Sequence, residues 1–581
     1  MQYLSKFLKP YRLHFIIGPA CKLFEAILEL LVPIFMADII NHGIIAGNRD
    51  KEYIYRTGGW MVLIVTIGLI SALVCQYSAS LASQGVGTSL RSALFEKVNH
   101  LPLHTIEQLG TSTLITRITN DVNQIQLAVA MTIRLVIRAP FVCIGSAVAA
   151  AMLNLKLSLV IFLSIPVLGV IVFFVFHSAS PLYVKVQQKL DRLSVVTSEN
   201  ISGVRVIRAF AKNKAEKERF CQANDAVTRA VIRVNRISGL VNPLTTMLMN
   251  LAIVAVLYIS GLLVQSNSLL PGSVLAFINY INNILTTLLV LANLVTIFTK
   301  ANASLQRVNE VFDLDEESSA ATQTNQSNHE DTATPLLVFD HVSFSYYGSS
   351  AEMELSDISF SMQPGETIGI IGGTGSGKST LISLIPLFYP VSSGQIFFKG
   401  KPLAAYPLEE LRAQIAIAPQ KADLFSGSVS ENLRWGNPHA DLPMLEKALD
   451  TAQATDFVAA MPDGMEAQIE RGGRNLSGGQ RQRLNIARAL VKDAELLILD
   501  DSFSALDYLT ERRLKNALRE NYQLSAIIIS QRVSSIRNAD RILVLDDGKM
   551  QGFGTHEELL QKSAVYQEIV RSQTAEEVKG A

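Results

Sequence analysis

The fold class predicted by the 581-residue sequence is a tandem of two domains, an all-α bundle of six membrane-spanning helices followed by an α/β domain of ordinary size. Three observations predict it. Apolar residues make up 49% of the chain and charged residues only 18%, an unusually oily balance for a soluble protein. The apolar content is concentrated in the first half, in segments long enough to cross about 30 Å of hydrocarbon. From about Leu336 the pattern changes to short β-rich runs alternating with helical stretches, ending near Ser572.

The six spans are expected at residues 14–40, 58–82, 135–153, 157–176, 239–264 and 274–298. The first is too long and too charged for a cleaved signal peptide and has no small-residue cleavage pattern, so the N-terminus with Lys6, Lys9 and Arg12 is expected to stay. Residues 178–238 hold twelve Lys or Arg, whereas residues 265–273 hold none. Basic flanks therefore place both termini and two long loops in the cytoplasm, in a multi-pass protein of the cell membrane. Short external hairpins alternating with long loops imply helices that continue well past the bilayer. Residues 87–126, apolar at helical spacing with a break at "LP", fit that picture.

Net charge is zero, so nothing in the bulk balance favours nucleic acid as a partner. Cys21, Cys75, Cys143 and Cys221 are far apart and form no CxxC pair. They read as small buried apolar residues rather than a metal site or a disulfide framework. The stretch "DLDEESSAATQTNQSNHEDTATP", residues 313–335, is acidic and polar and has too few apolar residues to build a core. It separates a membrane domain, 1–312, from a second domain, 336–573, with a short tail at 574–581.

"GGTGSGKS", Gly372 with Gly373, Thr374, Gly375, Ser376, Gly377, Lys378 and Ser379, follows the strand-like "ETIGII" and precedes the helical "TLISLIPLF" that starts at Thr380. Strand, glycine-rich turn and helix are the context a P-loop requires. Glycines let backbone N–H groups approach phosphate oxygens, and the following helix start adds a favourable dipole. Lys378 is placed to reach the β- and γ-phosphates of ATP, and Ser379 to ligate Mg2+. Asp500, closing the apolar run "LLILD", is placed to hold the Mg2+ shell from a second strand.

"LSGGQ" at residues 476–480, Gln420 in "IAPQ", "SALD" ending at Asp507, and six spans ahead of the P-loop together make the chain resemble an ATP-binding cassette (ABC) exporter half-transporter. The resemblance covers nearly the whole chain. It implies that Tyr346 in "VSFSYY" stacks on adenine, with Tyr347 beside it in competition for the register, and that Gln420 joins the Mg2+ site. It also implies that two nucleotide domains meet head to tail, so that Ser477, Gly478, Gly479 and Gln480 serve the ATP held by the opposite chain. One chain is then half a machine.

The family's general base is a glutamate after the Mg2+ aspartate, and its γ-phosphate sensor is a histidine. Here those positions read Asp501 and Gln531. Aspartate is one methylene shorter, and a misplacement of about 1 Å can cost about a hundredfold in rate. Glutamine can donate a hydrogen bond but cannot carry a proton. With the signature intact, the pattern is similar to the degenerate-site subunit of bacterial heterodimeric multidrug exporters. The expected partner is a second half-transporter carrying Glu and His, and the expected cargo a hydrophobic or amphipathic small molecule. An ATP-gated channel, a membrane regulator, or an exporter of a specific lipid, peptide or porphyrin are the alternatives.

Within the expected spans, Lys22, Glu25 and Glu29 lie on one helix face by their spacing. Each bare charge costs about 2.5 to 3.5 kcal/mol at a bilayer centre, so they must face other helices or a wet cavity. They read either as a Lys22–Glu25 ion pair with Glu29 near polar neighbours, or as a cavity for cationic substrates or coupled protons. Asn279, Asn282 and Asn283 share a face of the last span and read equally as pathway lining or as interhelical hydrogen bonds. Two coupling segments, at about residues 111–118 and 206–212, are expected from the position of their loops.

Overall fold

The computed structural model describes residues 2–46, 51–266, 269–317, 334–346, 353–522 and 524–580. These divide into two compact units, Met1–Asn99 with Thr111–Leu314, and His100–Gly110 with Asp315–Ala581.

The first unit is all helix. Five helices are long and apolar enough to cross a membrane: Lys51–Asn99, Thr111–Leu153, Leu155–Ser202, Asn213–Gln265 and Pro271–Asp313. The expected first span is also helical, over His14–Asp38, but its charges keep it outside that set, so five rather than six helices meet the criterion among the described residues. Leu157, Ile161 and Leu168 pack with Ala252, Val256, Phe277, Tyr280 and Ile281 to form the bundle core. Small residues set how closely helices approach, as packing in lipid requires. A Cβ on Gly18 would stand 2.4 Å from Ile133 Cγ2, and one on Gly145 would stand 2.5 Å from Leu30 Cδ1. Further along, buried Asp121 accepts from Ser304 Oγ at 2.9 Å and from Arg307 Nε at 2.9 Å, tying two long helices together.

The coupling segments differ in part from expectation. The short helix Val204–Ala209 does sit between the long helices Leu155–Ser202 and Asn213–Ser238. A second short helix, Leu103–Leu109, stands just ahead of the segment expected at 111–118 and belongs to the second unit. Pro102 opens it and Gly110, at φ 76°, closes it, which is the usual asymmetry of helix ends. Thr111 instead begins the next membrane helix. Cys75 is buried and Cys21 and Cys143 are half-buried, but Cys221 is exposed on the amphipathic Asn213–Ser238, so it is not a core residue.

The second unit is built on a ten-stranded sheet. From one edge inward, five of its strands run parallel in the order Ile415–Ala418, Leu496–Asp500, Ser525–Ile529, Thr367–Ile371 and Arg541–Asp546. Covered on both faces, these strands are continuous apolar runs, and Leu496–Asp500 is buried at every position. Register does the rest: Ile529 pairs with Asp500 on one side and with Ile370 on the other. The segments that leave these strands therefore start side by side at one edge of the sheet, where open α/β sheets place their ligands. Helix Pro271–Asp313 ends where the linker was expected, and residues 318–333 of that linker lie outside the described residues. Helix Ala564–Gly580 runs on through residues 574–580 of the expected tail.

Candidate functional site

At the carboxyl ends of the parallel strands lies a cavity of about 670 Å3. It brings together residues from four strand ends: Thr374 to Thr380 after Thr367–Ile371, Gln420 after Ile415–Ala418, Asp500 and Asp501 from Leu496–Asp500, and Gln531 after Ser525–Ile529.

The P-loop has the backbone its glycines allow. Gly375 and Gly377 stand at φ 85° and 91°, in the left-handed region, and Gly377 caps the helix Lys378–Leu384. A Cβ on Gly372 would lie 2.2 Å from Leu545 O, so that glycine is needed for packing behind the cavity rather than in it. Lys378 is buried and donates to Gly372 O at 3.0 Å, Gly373 O at 2.6 Å and Ser376 Oγ at 3.2 Å. Burial pushes its ammonium below the usual lysine range, while Asp501 and Asp500 pull the other way.

Ser379 Oγ donates to Asp500 Oδ1 at 3.4 Å. Burial raises the Asp500 carboxyl above its usual range, opposed by that hydroxyl, and raised further by Asp501. A hydroxyl converging with a buried carboxylate is a donor set that suits Mg2+, which would favour the charged form that burial disfavours. Asp501 is also raised by burial, against hydrogen bonds from Ser504 and Gln420 and the charges of Lys378 and Arg532. A carboxyl lifted this way is a better proton acceptor near neutral pH than an exposed aspartate. Asp501 stands at φ 45°, a conformation aspartate tolerates better than most residues.

Tyr346 is 40% exposed and lies outside the cavity lining, but its hydroxyl donates to Thr380 Oγ1 at 3.2 Å. Its ring meets Tyr389 edge to face at 5.1 Å. Tyr347 lies outside the described residues. The signature is not part of this cavity. Ser477 caps the helix Gly478–Val491 and forms a capping box with Gln480, accepting from its N–H at 3.3 Å while Gln480 Oε1 accepts from Ser477 N at 2.8 Å. Ser477 and Gly478 are exposed, and no residue of this cavity comes from 477–480. Asp507 caps Tyr508–Asn521 by accepting from Thr510 N at 3.0 Å, which holds its carboxyl below the usual range.

Sequence reasoning missed part of the lining: Met353, Glu354, Ser356, Asp547, Gly548 and Lys549. Asp547–Gly548 carries a local signal, a "DG" turn at positive φ between strands Arg541–Asp546 and Lys549–Gly554. Only the sheet order puts that turn beside the P-loop. It also missed that Tyr389, just past the P-loop helix, donates to Glu107 Oε2 at 2.7 Å, holding the helix Leu103–Leu109.

In the membrane unit, Lys22 and Glu25 are paired at 2.6 Å. Glu29 is not simply near polar neighbours: Arg138 Nη2 donates to it at 2.7 Å. Asn279 bonds its own helix at Leu275 O, 2.9 Å away, and Asn282 Oδ1 is buried with no partner among the described residues. Arg134 was not singled out. It sits in a π-helical turn, Thr132–Val136, and its buried Nε has no partner among the described residues.

The family model of the ABC transporter transmembrane region matches residues 15–289, and a second model, described as ABC transporter, matches residues 355–504. The chain is 35% identical to the Bacillus subtilis ABC transporter ATP-binding protein YfiB over 99% of both chains. It is 32% identical to the ATP-dependent lipid A-core flippase of Chromobacterium violaceum, over 95% of this chain and 93% of that one. A bacterial Atm1-family ABC exporter with ATP bound has the same fold, at a TM-score of 0.75, 22% identity and 98% coverage of both chains.

Proposed function

Because the chain belongs to the ABC transporters, as an exporter half with its membrane region and ATP-binding domain in one polypeptide, we propose that it is one of two unlike subunits of an ATP-driven exporter. The pair moves hydrophobic or amphipathic compounds out of the cell by alternating access, with both termini and the ATP-binding domain cytoplasmic. The observation that carries this reading is Asp501 and Gln531 flanking one P-loop cavity in a chain whose signature is intact, with Ser477 and Gly478 exposed outside that cavity.

In this reading Lys378 leaves the carbonyls of Gly372 and Gly373 for the β- and γ-phosphates, and Tyr346 supports the adenine. Ser379 and Asp500, with Gln420, would hold Mg2+, whose charge would offset that of the phosphates. Asp501 takes the proton from the attacking water, but from a side chain one methylene short, and Gln531 contributes only a hydrogen bond. This site holds ATP and turns it over slowly. Ser477, Gly478, Gly479 and Gln480, with Asp507, complete the fast site on the partner.

The test is ATP hydrolysis by the purified chain alone and together with the product of a neighbouring transporter gene. Loss of turnover on removing the partner's glutamate, but not on Asp501→Ala, supports the reading. Brisk transport-coupled hydrolysis by this chain alone overturns it.

A second observation bears on the cargo. Glu25 and Glu29 are each paired with a cation, whereas Arg134 makes no ion pair among the described residues and its buried Nε lacks a hydrogen-bond partner there. An unpaired guanidinium at a membrane helix is costly, and a ligand carrying an acidic group would offset it. This favours acidic amphiphiles over the cationic compounds that the two glutamates alone suggest, and a relative named for lipid A-core is consistent with it.

A further inference from the structure

The C-terminal helix Ala564–Gly580 reaches back to the nucleotide cavity through the side chain of Gln573. Gln573 Nε2 donates to Gln531 O at 2.7 Å, and Gln573 Oε1 accepts from Val533 N at 2.8 Å. One amide thus satisfies a carbonyl and an N–H two residues apart, on either side of Arg532.

The two partners need it. Val533 opens the short helix Val533–Ile536, whose first N–H groups have no intrahelical acceptor, and Arg532 at the N-cap supplies no side-chain bond. The strand before it is fixed independently, since Ser530 N donates to Ile370 O at 3.1 Å. Between that anchor and Gln573 lies Gln531, whose side chain lines the cavity.

The strut itself is well seated. Tyr566 is fully buried and its hydroxyl meets His556 Nδ1 at 2.7 Å, and Ile569 and Val570 pack against the main core of the domain. Gln573 follows Val570 by three and Ile569 by four, so it continues the same inward face with an amide where an apolar residue would extend the stripe.

We propose that Gln573 is a positioning residue for the ATP site: its amide fixes the backbone around Gln531 so that the Gln531 side chain meets the γ-phosphate, and the C-terminal helix thereby sets the preference of this site for ATP over ADP. The inference rests on the reading of Gln531 as the γ-phosphate contact.

The experiment uses the full chain in lipid nanodiscs with Mg2+, displacing a fluorescent nucleotide with ATP and, separately, with ADP. Gln573→Leu keeps the size of the side chain and removes both bonds. Gln573→Glu keeps the acceptor for Val533 N and loses the donor to Gln531 O. Gln573→Leu is expected to raise the Kd for ATP by about 5- to 10-fold, as loss of one neutral hydrogen bond does, and to leave that for ADP within about twofold. Gln573→Glu, which also sets a carboxylate oxygen against Gln531 O, should weaken ATP binding at least as much as Gln573→Leu and likewise spare ADP. The double variant Gln573→Leu with Gln531→Ala should be no worse than Gln531→Ala alone, because both remove the same contact.

Equal weakening of ATP and ADP binding by Gln573→Leu marks a merely structural role and overturns the proposal, as does unchanged binding of both. If Gln531→Ala weakens ATP selectively and Gln573→Leu does not, only the strut is wrong. If Gln531→Ala itself has no ATP-selective effect, the reading of Gln531 fails and the proposal with it.

Discussion

Lengthening the carboxylate at position 501 should accelerate this ATP site. Asp501→Glu adds one methylene, about 1.5 Å of reach, just past the carboxyl end of a fully buried strand. Neighbours already orient a carboxylate there, through Gln420, Ser504 and Lys378. A general base contributes about 10^2 to 10^4 in rate, and a misplacement of about 1 Å forfeits about 10^2 of it. The expected gain is therefore about 30- to 100-fold in kcat, or about 2 to 3 kcal/mol of activation free energy. Against this stands the left-handed backbone at φ 45°, where glutamate is less at ease than aspartate, a cost to fold stability of up to about 1 kcal/mol. A suitable assay is phosphate release by the complex with the neighbouring subunit, whose own catalytic glutamate is replaced by glutamine so that only this site turns over. Asp501→Glu with Gln531→His should exceed Asp501→Glu alone. A natural site already running near 10 per second, a median enzymatic rate, with Asp501→Glu giving no gain, refutes the argument.

Gly377→Ala should abolish ATP binding and lower the melting temperature, since φ 91° excludes a Cβ that would also stand 2.8 Å from Leu355 Cδ2; retained nucleotide binding by fluorescence displacement would contradict this. Glu366 is pushed up by burial but more strongly held down by Arg541 and by Gln363 N–H, so its carboxyl sits below the usual range. Its stabilisation is complete above the unfolded value of about 4.3 and is lost as pH falls through the lower folded value. Glu366→Gln should therefore cost about 2 kcal/mol at pH 7, with the difference from the natural chain shrinking in acid; a pH-independent difference in melting temperature would refute the assignment. Arg134→Gln should reduce stimulation of ATP hydrolysis by acidic amphiphiles at least about fivefold and spare stimulation by cationic ones, a split that a purely structural arginine would not produce.

The ATP motifs were legible because each is contiguous and carries its own geometry. The P-loop places its glycines, lysine and serine in one turn, and the Ser477–Gln480 capping box closes within four residues. Apolar runs of bilayer length declared the membrane unit for the same reason, since backbone in hydrocarbon has to satisfy its hydrogen bonds within its own helix. The helix of the first expected span, His14–Asp38, shows where that signal ends: Lys22, Glu25 and Glu29 are tolerated through partners that hydropathy does not register.

What tertiary structure alone decided are pairings across long stretches of chain. Glu29 finds Arg138, Tyr389 finds Glu107, the Asp547–Gly548 turn arrives beside the P-loop, and Gln573 reaches Gln531. The Asp547–Gly548 turn is locally legible, but none of these pairings has a local signature, because a side chain on a helix or loop is equally compatible with many neighbours. Strand order, register and helix packing choose among them. The residues proposed to contact phosphate are written in the sequence as chemistry; those that hold them in place are selected only when the sheet and the helices close.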